Sequence, residues 1–450
     1  MTGSKWQWLL KQMTRKLWVR TSLFALLAVV TALISIVLNK FITLPPTINV
    51  SNELLNNILN ILATSMLAVT TFSLNIMVSA YSAASAGVTP RATKLLMEDS
   101  TTQNALATFL GSFLFSLVGI IALGIGAYHE QAQIYLFIVT MVVIIMIILT
   151  LLRWIQHLSV LGRVSETTSN VEQALLSAIR KRGCEPWLGA FPWSHPEHKP
   201  RGSKPIVSKE IGYLQHIDMH HLDSVAKASQ STIYIERQPG SFVYLGQPLA
   251  WVCGELAEES EVTAAFTIRT ERSYDQDPRF GLVVLAEIAS RALSPAVNDN
   301  GTAIDVLGRS IRALSLWGEL ISQQPTKTRF PRLFVPSLNC QDLFDDVFLP
   351  IAHDGAAQLQ VQVRLQKALL ALSSMHPKLF SAPATKLSEK ALELTLTQHF
   401  TEDEKHQLAQ LSNQVTDPKN TALTIHSISI VLSIRLKHAY AQPSSFEKSS

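Results

Sequence analysis

The chain is 450 residues long, 47% hydrophobic and 16% charged, with a mean hydropathy of +0.21, too apolar for an ordinary soluble protein and long enough for two or three domains. Through Arg153 it carries nine basic and four acidic side chains, which leaves 29 basic against 30 acidic for the rest; that balance argues against nucleic acid as a partner, because such binding needs a basic face. Cys184, Cys253 and Cys340 stand far apart with no metal-type pairing and no disulfide framework, so they read as free thiols of a reducing compartment.

The apolar excess lies in the first third. Uncharged runs occur at Thr21–Asn39, Leu54–Pro90, Ser100–Tyr128 and Gln131–Leu152, each near or above the roughly 20 residues that a helix needs to cross a bilayer. Four spans are therefore expected, at about 21–39, 58–84, 103–127 and 133–153. Lys5, Lys11, Arg15, Lys16 and Arg20 precede the first. Positive residues stay on the cytoplasmic side, which places the N-terminus inside, and Arg91, Lys94, Arg153 and Arg163 agree. No small-x-small cleavage site follows the first run, so it reads as a retained anchor. Four spans return the chain to the cytoplasm. Trp6, Trp8, Trp18 and Trp154 suit the interfacial belt.

The second run is unusually polar. Thr64, Thr71, Asn75, Ser79 and Ser82 fall at helical steps and form one stripe. In hydrocarbon that stripe must face protein or water. It could line a hydrated path for a small ion, or it could be a packing seam whose hydroxyls bond neighbouring helices or their own carbonyls. No carboxylate or lysine lies within any span, which weighs against a proton relay. A path along this stripe needs a homo-oligomer, because four spans enclose little.

Thr89 and Pro90 read as an N-cap and first position of a short helix through Met97. Ser100 with Gln103 reads as a capping box opening span three. Ser112, Ser116 and Gly119 would let another helix approach closely, and span four is the most lipid-exposed by its aliphatic composition. From Arg153 to about Arg182 an amphipathic stalk is expected, then a Pro-rich linker from Gly183 to Lys209. Gly212–Ile217 and Thr232–Arg237 read as strands around a helix Leu222–Ser229, and Pro239-Gly240 turns into a strand Phe242–Val252. The Ser231–Cys253 stretch is similar to hairpins of lipoyl-type barrel-sandwich domains but has no lysine at its tip, so a structural use is expected.

Further on, Asp277-Pro278 opens a helix Phe280–Leu293, Ser294-Pro295 stops it, and Thr302 caps the next, in which Asp305 and Arg309 pair. Helices follow at Asp342–Met375 (interrupted near Pro350), Lys386–Phe400, Asp403–Gln414 and Thr421–Arg435. The expected fold is thus a membrane α-helical bundle of four spans plus a cytoplasmic α+β region with a small barrel-sandwich-like β domain and a helical C-terminal part. Its segments are a transmembrane domain at 1–154, a stalk and linker at 155–208, a β-rich domain at 209–275, a helical domain at 276–440 and a disordered tail at 441–450.

Three blocks carry a resemblance: TTFSLNIMVSAYSAASAGVTPR from Thr70 to Arg91, the Gly212–Val252 block ending PGSFVYLGQPLAWV, and RTERSYDQDPRFGLVVLAEIASRALSPAVNDNGTAIDVL from Arg269 to Leu307. Together they resemble DUF2254, an uncharacterised family of bacterial predicted membrane proteins, and the third is the most specific. Family versions of its core look like DIALRALSPGINDP; this chain departs at Ala296 and Asn300, where Gly and Pro would be usual. The resemblance implies a bacterial membrane protein, and with the charge pattern above the expected location is the inner membrane, multi-pass, with both termini cytoplasmic. The family has no established activity, so no mechanism transfers.

In the cytoplasmic part, Arg269, Arg272, Asp277, Arg291, Asn298 and Asp299 are candidates for an anionic-ligand site, or else a set of ion pairs that ties a loop to two helices. His216, Asp218, His220 and His221 could ligate metal, but a strand-to-helix boundary divides them and no metal site is assigned. No P-loop, GxGxxG, GxSxG or HExxH is present, so neither catalytic residues nor a cofactor are assigned. Two functions fit these observations. One is an oligomeric channel-like or transport-related membrane protein with a cytoplasmic gate; the other is a membrane-anchored sensor or scaffold whose cytoplasmic domain binds a ligand or partner.

Overall fold

The computed structural model describes residues 51–126, 130–255, 258–323 and 328–417, with helical residues at 19, 22–23, 25–27 and 29–30. The expected first span lies mostly outside the described residues, as do the helix at Thr421–Arg435 and the tail at 441–450. The chain divides into two compact units. The first holds residues up to Ala174, Lys199–Glu271 and Phe330–Leu333; the second holds Leu175–His198, Arg272–Arg329 and the chain from Phe334 on.

The first unit begins with α1 (Asn52–Gly87), α2 (Pro90–Met97), α3 (Ser100–Gly124), α4 (Glu130–Leu158) and the start of α5 (Val164–Cys184). Among the described residues three helices are long and apolar enough to cross a membrane: α1, α3 and α4 from Gln133. Helix α3 is the central one. Of its most apolar stretch 56% is buried, against 22% for each of α1 and α4, so α4 shares with α1 the exposure expected of it alone.

Two apolar clusters hold the three helices together. Leu55, Leu59, Phe115, Ala122 and Leu136 form one; Leu62, Met66, Ala105, Phe109, Ile147 and Trp154 form the other. The small residues of α3 do let α1 approach. A Cβ on Gly119 would lie 3.0 Å from Leu59 Cδ1, and the buried hydroxyls of Ser112 and Ser116 bond back to Thr108 O (2.8 Å) and Ser112 O (2.9 Å).

Capping follows local chemistry, with two corrections. Thr89 caps α2 with Pro90 at its first position, as its sequence predicts. At α3 the cap is Asp99 and not Ser100: its carboxylate accepts from Thr102 N at 2.8 Å, and a charged acceptor at a helix N-terminus outcompetes the adjacent hydroxyl. The stalk is not continuous either. The chain turns at 159–163, where Gly162 takes φ +83 and a Cβ would fall 3.0 Å from Ala80 O; only glycine combines that conformation with that approach.

The remainder of the first unit is β-rich. Strands β2 (Lys204–Val207), β4 (Thr232–Ile235) and β6 (Pro248–Cys253) lie in the order β4-β6-β2, with Phe330–Leu333 of β8 (Phe330–Val335) outside β4. A second sheet has the order β5-β3-β7, from β3 (Gly212–Ile217), β5 (Phe242–Val243) and β7 (Phe266–Arg269). The stretch expected as a single strand Phe242–Val252 is two, because the chain turns at Gly246 with φ +78 and hands β5 and β6 to different sheets. Helix α6 (Met219–Ala228) is capped by Asp218 and α7 is Glu259–Ala264.

The second unit is helical. It contains the short β1 (Ala190–Pro192) within the expected linker, then α8 (Pro278–Leu293), α9 (Asn300–Ser322), α10 (Cys340–Asp354), α11 (Leu359–Met375), α12 (Pro377–Leu396) and α13 (Glu402–Thr416). Asp277-Pro278 opens α8 as predicted. Helix α9 starts earlier than Thr302 implies, because Asp299 is the cap and accepts from Thr302 N at 3.0 Å. Pro350 and Pro383 sit inside α10 and α12 without ending them. A buried stripe of Leu343, Phe344, Val347, Phe348 and Ile351 runs through Pro350, and its packing outweighs the lost backbone bond. The break falls instead between Gly355 and Gln358.

Candidate functional site

Two groups of side chains predicted from sequence can be placed. The first is the stripe on α1. Leu55, Leu59, Leu62, Met66, Ser73, Met77, Ala80 and Ala84 are its buried positions, whereas Thr64, Thr71, Asn75, Ser79 and Ser82 are all exposed. The stripe thus turns away from α3 and α4. Thr64 Oγ1 donates to Asn60 O and Thr71 Oγ1 donates to Leu67 O (3.0 Å), so these two hydroxyls are satisfied within their own helix. Asn75, Ser79 and Ser82, a turn or so apart, complete the face with a carboxamide and two more hydroxyls. Phe72, Leu74 and Val78 are exposed beside them, so the polar strip has apolar margins.

The end of the bundle where α1 and α4 finish and α3 starts holds a polar cluster that sequence reading missed. His157 Nε2 of α4 lies 3.0 Å from Asp99 Oδ2 and 3.3 Å from Thr102 Oγ1 of α3. Burial pushes the Asp99 carboxyl up, but the hydrogen bonds from His157 and Thr102 outweigh it and hold the group at about 2. One turn away, Trp154 Nε1 donates to buried Ser73 Oγ at 2.9 Å. Trp154 is 2% exposed, so it is an interhelical donor and not a member of an interfacial belt. The signal available for Asp99 was its place three residues before Thr102; nothing local marked His157 as its partner.

The second predicted group is the charged block at 269–299. It does not form one site. Arg269 belongs to the first unit, where it is exposed and donates from Nη1 to Ile268 O at 3.2 Å. Arg272 and Asp277 stand before α8, and Arg291, Asn298 and Asp299 stand at its far end. The helix between its cap Asp277 and the loop with Asn298 and Asp299 is sixteen residues long, about 24 Å at 1.5 Å per residue, and Arg291 lies in its last turn.

At the near end, Arg272 donates through Nε (2.9 Å) and Nη2 (2.7 Å) to Asp277 Oδ2. Asp277 also caps α8 by accepting from Phe280 N at 3.2 Å. The Arg272 guanidinium stacks 5.0 Å above the Phe280 ring, which Tyr274 flanks at 4.5 Å. Burial pushes the Asp277 carboxyl up against the pull of Arg272 and the cap. Arg182 of α5 is buried in the same unit; burial brings its guanidinium down to about 10, with Asp277 opposing. Next along α8, Arg279 grips Asp346 with two bonds (2.6 and 3.0 Å) and Asp342 with a third (2.7 Å). The pairing with Asp346 raises the Arg279 guanidinium above its ordinary range. Arg182 was missed because the Arg-Lys-Arg run at 180–182 reads as a solvated helix end.

At the far end the loop is built from turn chemistry. Asn298 takes φ +51, a conformation that asparagine tolerates, and its Oδ1 accepts from Gln358 Nε2 at 3.3 Å. Asp299 accepts from Thr302 N and Oγ1 (2.6 Å), bonds that lower its carboxyl below the usual range. Arg291 is half-buried in the last turn of α8.

The histidine group disperses as well. Asp218 accepts from His221 N at 3.0 Å as the α6 cap, His221 Nε2 lies 2.9 Å from Glu261 O, and His220 meets the Phe330 ring edge-on at 4.9 Å. Among the described residues no group of three or more His, Cys, Asp or Glu is arranged to hold a metal ion.

Three helices of spanning length, carried with a β-rich region and a separate helical unit, define the class: an integral membrane protein. The chain belongs to the family described as predicted membrane protein (DUF2254), whose model matches residues 14–371. It is also similar to uncharacterised proteins of Mycobacterium bovis and Mycobacterium tuberculosis, at 34% identity over 120 residues in each case. That match covers 25% of this chain and 23% of each relative, so it spans under a quarter of the relatives' length. No solved structure matches.

Proposed function

We propose that this chain assembles as a homo-oligomer in the bacterial inner membrane, with both termini in the cytoplasm, and that copies of α1 line a passive, hydrated path for a small ion. The observation that carries this reading is the outward exposure of Thr64, Thr71, Asn75, Ser79 and Ser82 on a helix whose apolar face is already used. Thr64 and Thr71 are satisfied within their own helix, so in hydrocarbon it is Asn75, Ser79 and Ser82 that require protein or water against them. Hydroxyls and a carboxamide can replace part of an ion's hydration shell, and none of the five is ionisable, which fits passive conduction. A fourth span within 21–39 would complete each subunit. The cytoplasmic α+β region, including its barrel-sandwich-like hairpin, would act as vestibule or gate. No catalytic step is assigned.

The alternative, a sensor whose charged block captures an anion, has less support. Arg272 and Arg279 are already engaged by Asp277, Asp342 and Asp346. The test is ion flux from liposomes containing the purified chain. Asn75→Leu or Ser79→Leu should change flux while the oligomer persists on crosslinking. Wild-type vesicles that pass no ion under any imposed gradient would overturn the reading.

A further inference from the structure

The β-rich part of the first unit shows water a set of large apolar side chains: Ile211 (62% exposed), Phe242 (40%), Tyr244 (60%) and Leu245 (68%). They belong together. Phe242 of edge strand β5 is the cross-strand partner of Tyr213 on β3, so the two side chains share one face, and their rings meet edge-on at 4.9 Å. Tyr244 continues the row, edge-on to Phe242 at 5.3 Å. Backbone bonds from Ser208 N to Gln247 O and from Gly246 N to Ser208 O, both 2.8 Å, bring the 209–211 loop beside Leu245. Ile211 thereby joins the tip. A continuous apolar patch on a polar domain marks an interaction surface.

Its position says what covers it. On the other side of Tyr213 the cross-strand partner is Arg269, and two residues further Glu271 accepts an ion pair from Lys94 at 2.6 Å. Gln215 of β3 donates to Glu271 O, which ties that residue to the same sheet. Lys94 sits on α2, the eight-residue helix between spanning helices α1 and α3, where Arg91 is also exposed. The sheet is therefore fastened to the segment that lies at the membrane boundary. Its exposed face combines tyrosine, phenylalanine, leucine and isoleucine with Arg269 and Lys209, the mixture that settles at a headgroup layer; Glu210 and Glu271 are the exposed acids beside them, and Arg91 and Lys94 of α2 leave the basic side chains in excess. We propose that Ile211, Phe242, Tyr244 and Leu245 form a second membrane contact, which rests this sheet on the bilayer surface beside α2.

The contact extends the bilayer interface that the spanning helices already define, and the basic side chains give it a preference for anionic headgroups. It holds whether or not α1 conducts ions. Leu245 precedes the glycine turn and is the most exposed of the four, so a label there leaves the fold intact. The experiment uses the full chain in nanodiscs of phosphatidylcholine with phosphatidylglycerol. Cys184, Cys253 and Cys340 are replaced by serine, and Leu245→Cys carries an environment-sensitive fluorophore. A nitroxide lipid labelled near its headgroup should quench this fluorophore several-fold more strongly than aqueous iodide does, with a blue-shifted emission, and removing phosphatidylglycerol should weaken the effect. Free access to iodide without lipid quenching would overturn the proposal. Shielding from both quenchers would also overturn it, because a second copy of the chain would then be the cover.

Discussion

The outward face of α1 and the charged block at the head of α8 are opposites. On α1, uncharged polar groups are exposed where hydrocarbon is expected. At α8, formal charges are bonded to one another, Arg272 to the buried Asp277 and the half-buried Arg279 to Asp346 and Asp342. Judged by residue types alone, the α8 block is the stronger candidate for a functional site, because it concentrates arginine and aspartate in a specific family block. Burial and partners reverse the order. A charge already matched within the protein has little left for a ligand, whereas an outward-facing carboxamide such as that of Asn75, unlike the back-bonded hydroxyls of Thr64 and Thr71, still requires something opposite it in a membrane.

The largest effect should come from breaking a buried pair. Arg272→Ala leaves Asp277 charged and 2% exposed, in a site that already pushes its carboxyl up, and should cost about 3–5 kcal/mol. Thermal or denaturant unfolding of the detergent-solubilised chain measures it. A variant that unfolds within about 0.5 kcal/mol of wild type would mean that Arg272 is free to bind something else, and the contrast between the two regions would fall.

The Asp99 cluster lies between the extremes, being charged yet at the end of the bundle. Asp99→Ala removes both a helix cap and the partner of His157 and should cost about 1–2 kcal/mol. The sign of its pH dependence follows from the lowered carboxyl. Above the ordinary value of 3.8 the stabilisation is complete; as pH falls towards about 2 the native carboxylate takes up its proton and the stabilisation is lost. The stability difference between wild type and variant should therefore shrink across that window. A difference constant down to pH 2 would show that the Asp99 carboxyl is not held below its ordinary value. Ser73→Ala keeps the Trp154 indole in place and deletes the acceptor of its Nε1–H, a loss of about 0.6–1 kcal/mol that the same unfolding measurement can resolve.

What the sequence made legible follows the same division between local and tertiary causes. Thr89-Pro90, Asp277-Pro278 and the Asp305–Arg309 pair (2.7 Å) are where the pattern puts them, because a cap or a four-residue ion pair depends only on its own neighbours. Where two cap-competent residues compete, as at Asp99 and Ser100 or Asp299 and Thr302, the carboxylate won both times, which a ranking by charge would have foreseen. Pro350 misleads as a helix stop because the apolar stripe that carries α10 past it is paired across the fold. Arg182 and His157 were illegible for a related reason. Their meaning is set by Asp277 and Asp99, many helical turns away along the chain, distances over which periodicity carries no information. The stripe of α1 was legible as a stripe, but which way it faces depends on where Leu59 meets Gly119 and Trp154 meets Ser73.

The smallest effect on stability should come from the stripe itself, and that is its diagnostic value. Asn75→Leu and Ser79→Leu replace exposed side chains with apolar ones that suit hydrocarbon, so unfolding of the isolated subunit should move by less than about 0.5 kcal/mol. A residue that merely packed between helices of its own chain would behave like Ser73 and lose stability on enlargement. Flux and subunit crosslinking are the readouts expected to respond, since those depend on what lies opposite the face and not on what lies behind it. If Asn75→Leu instead unfolds the subunit, the face is covered from within the chain, and the exposed polar groups of α1 and the paired charges of α8 become two versions of the same structural device.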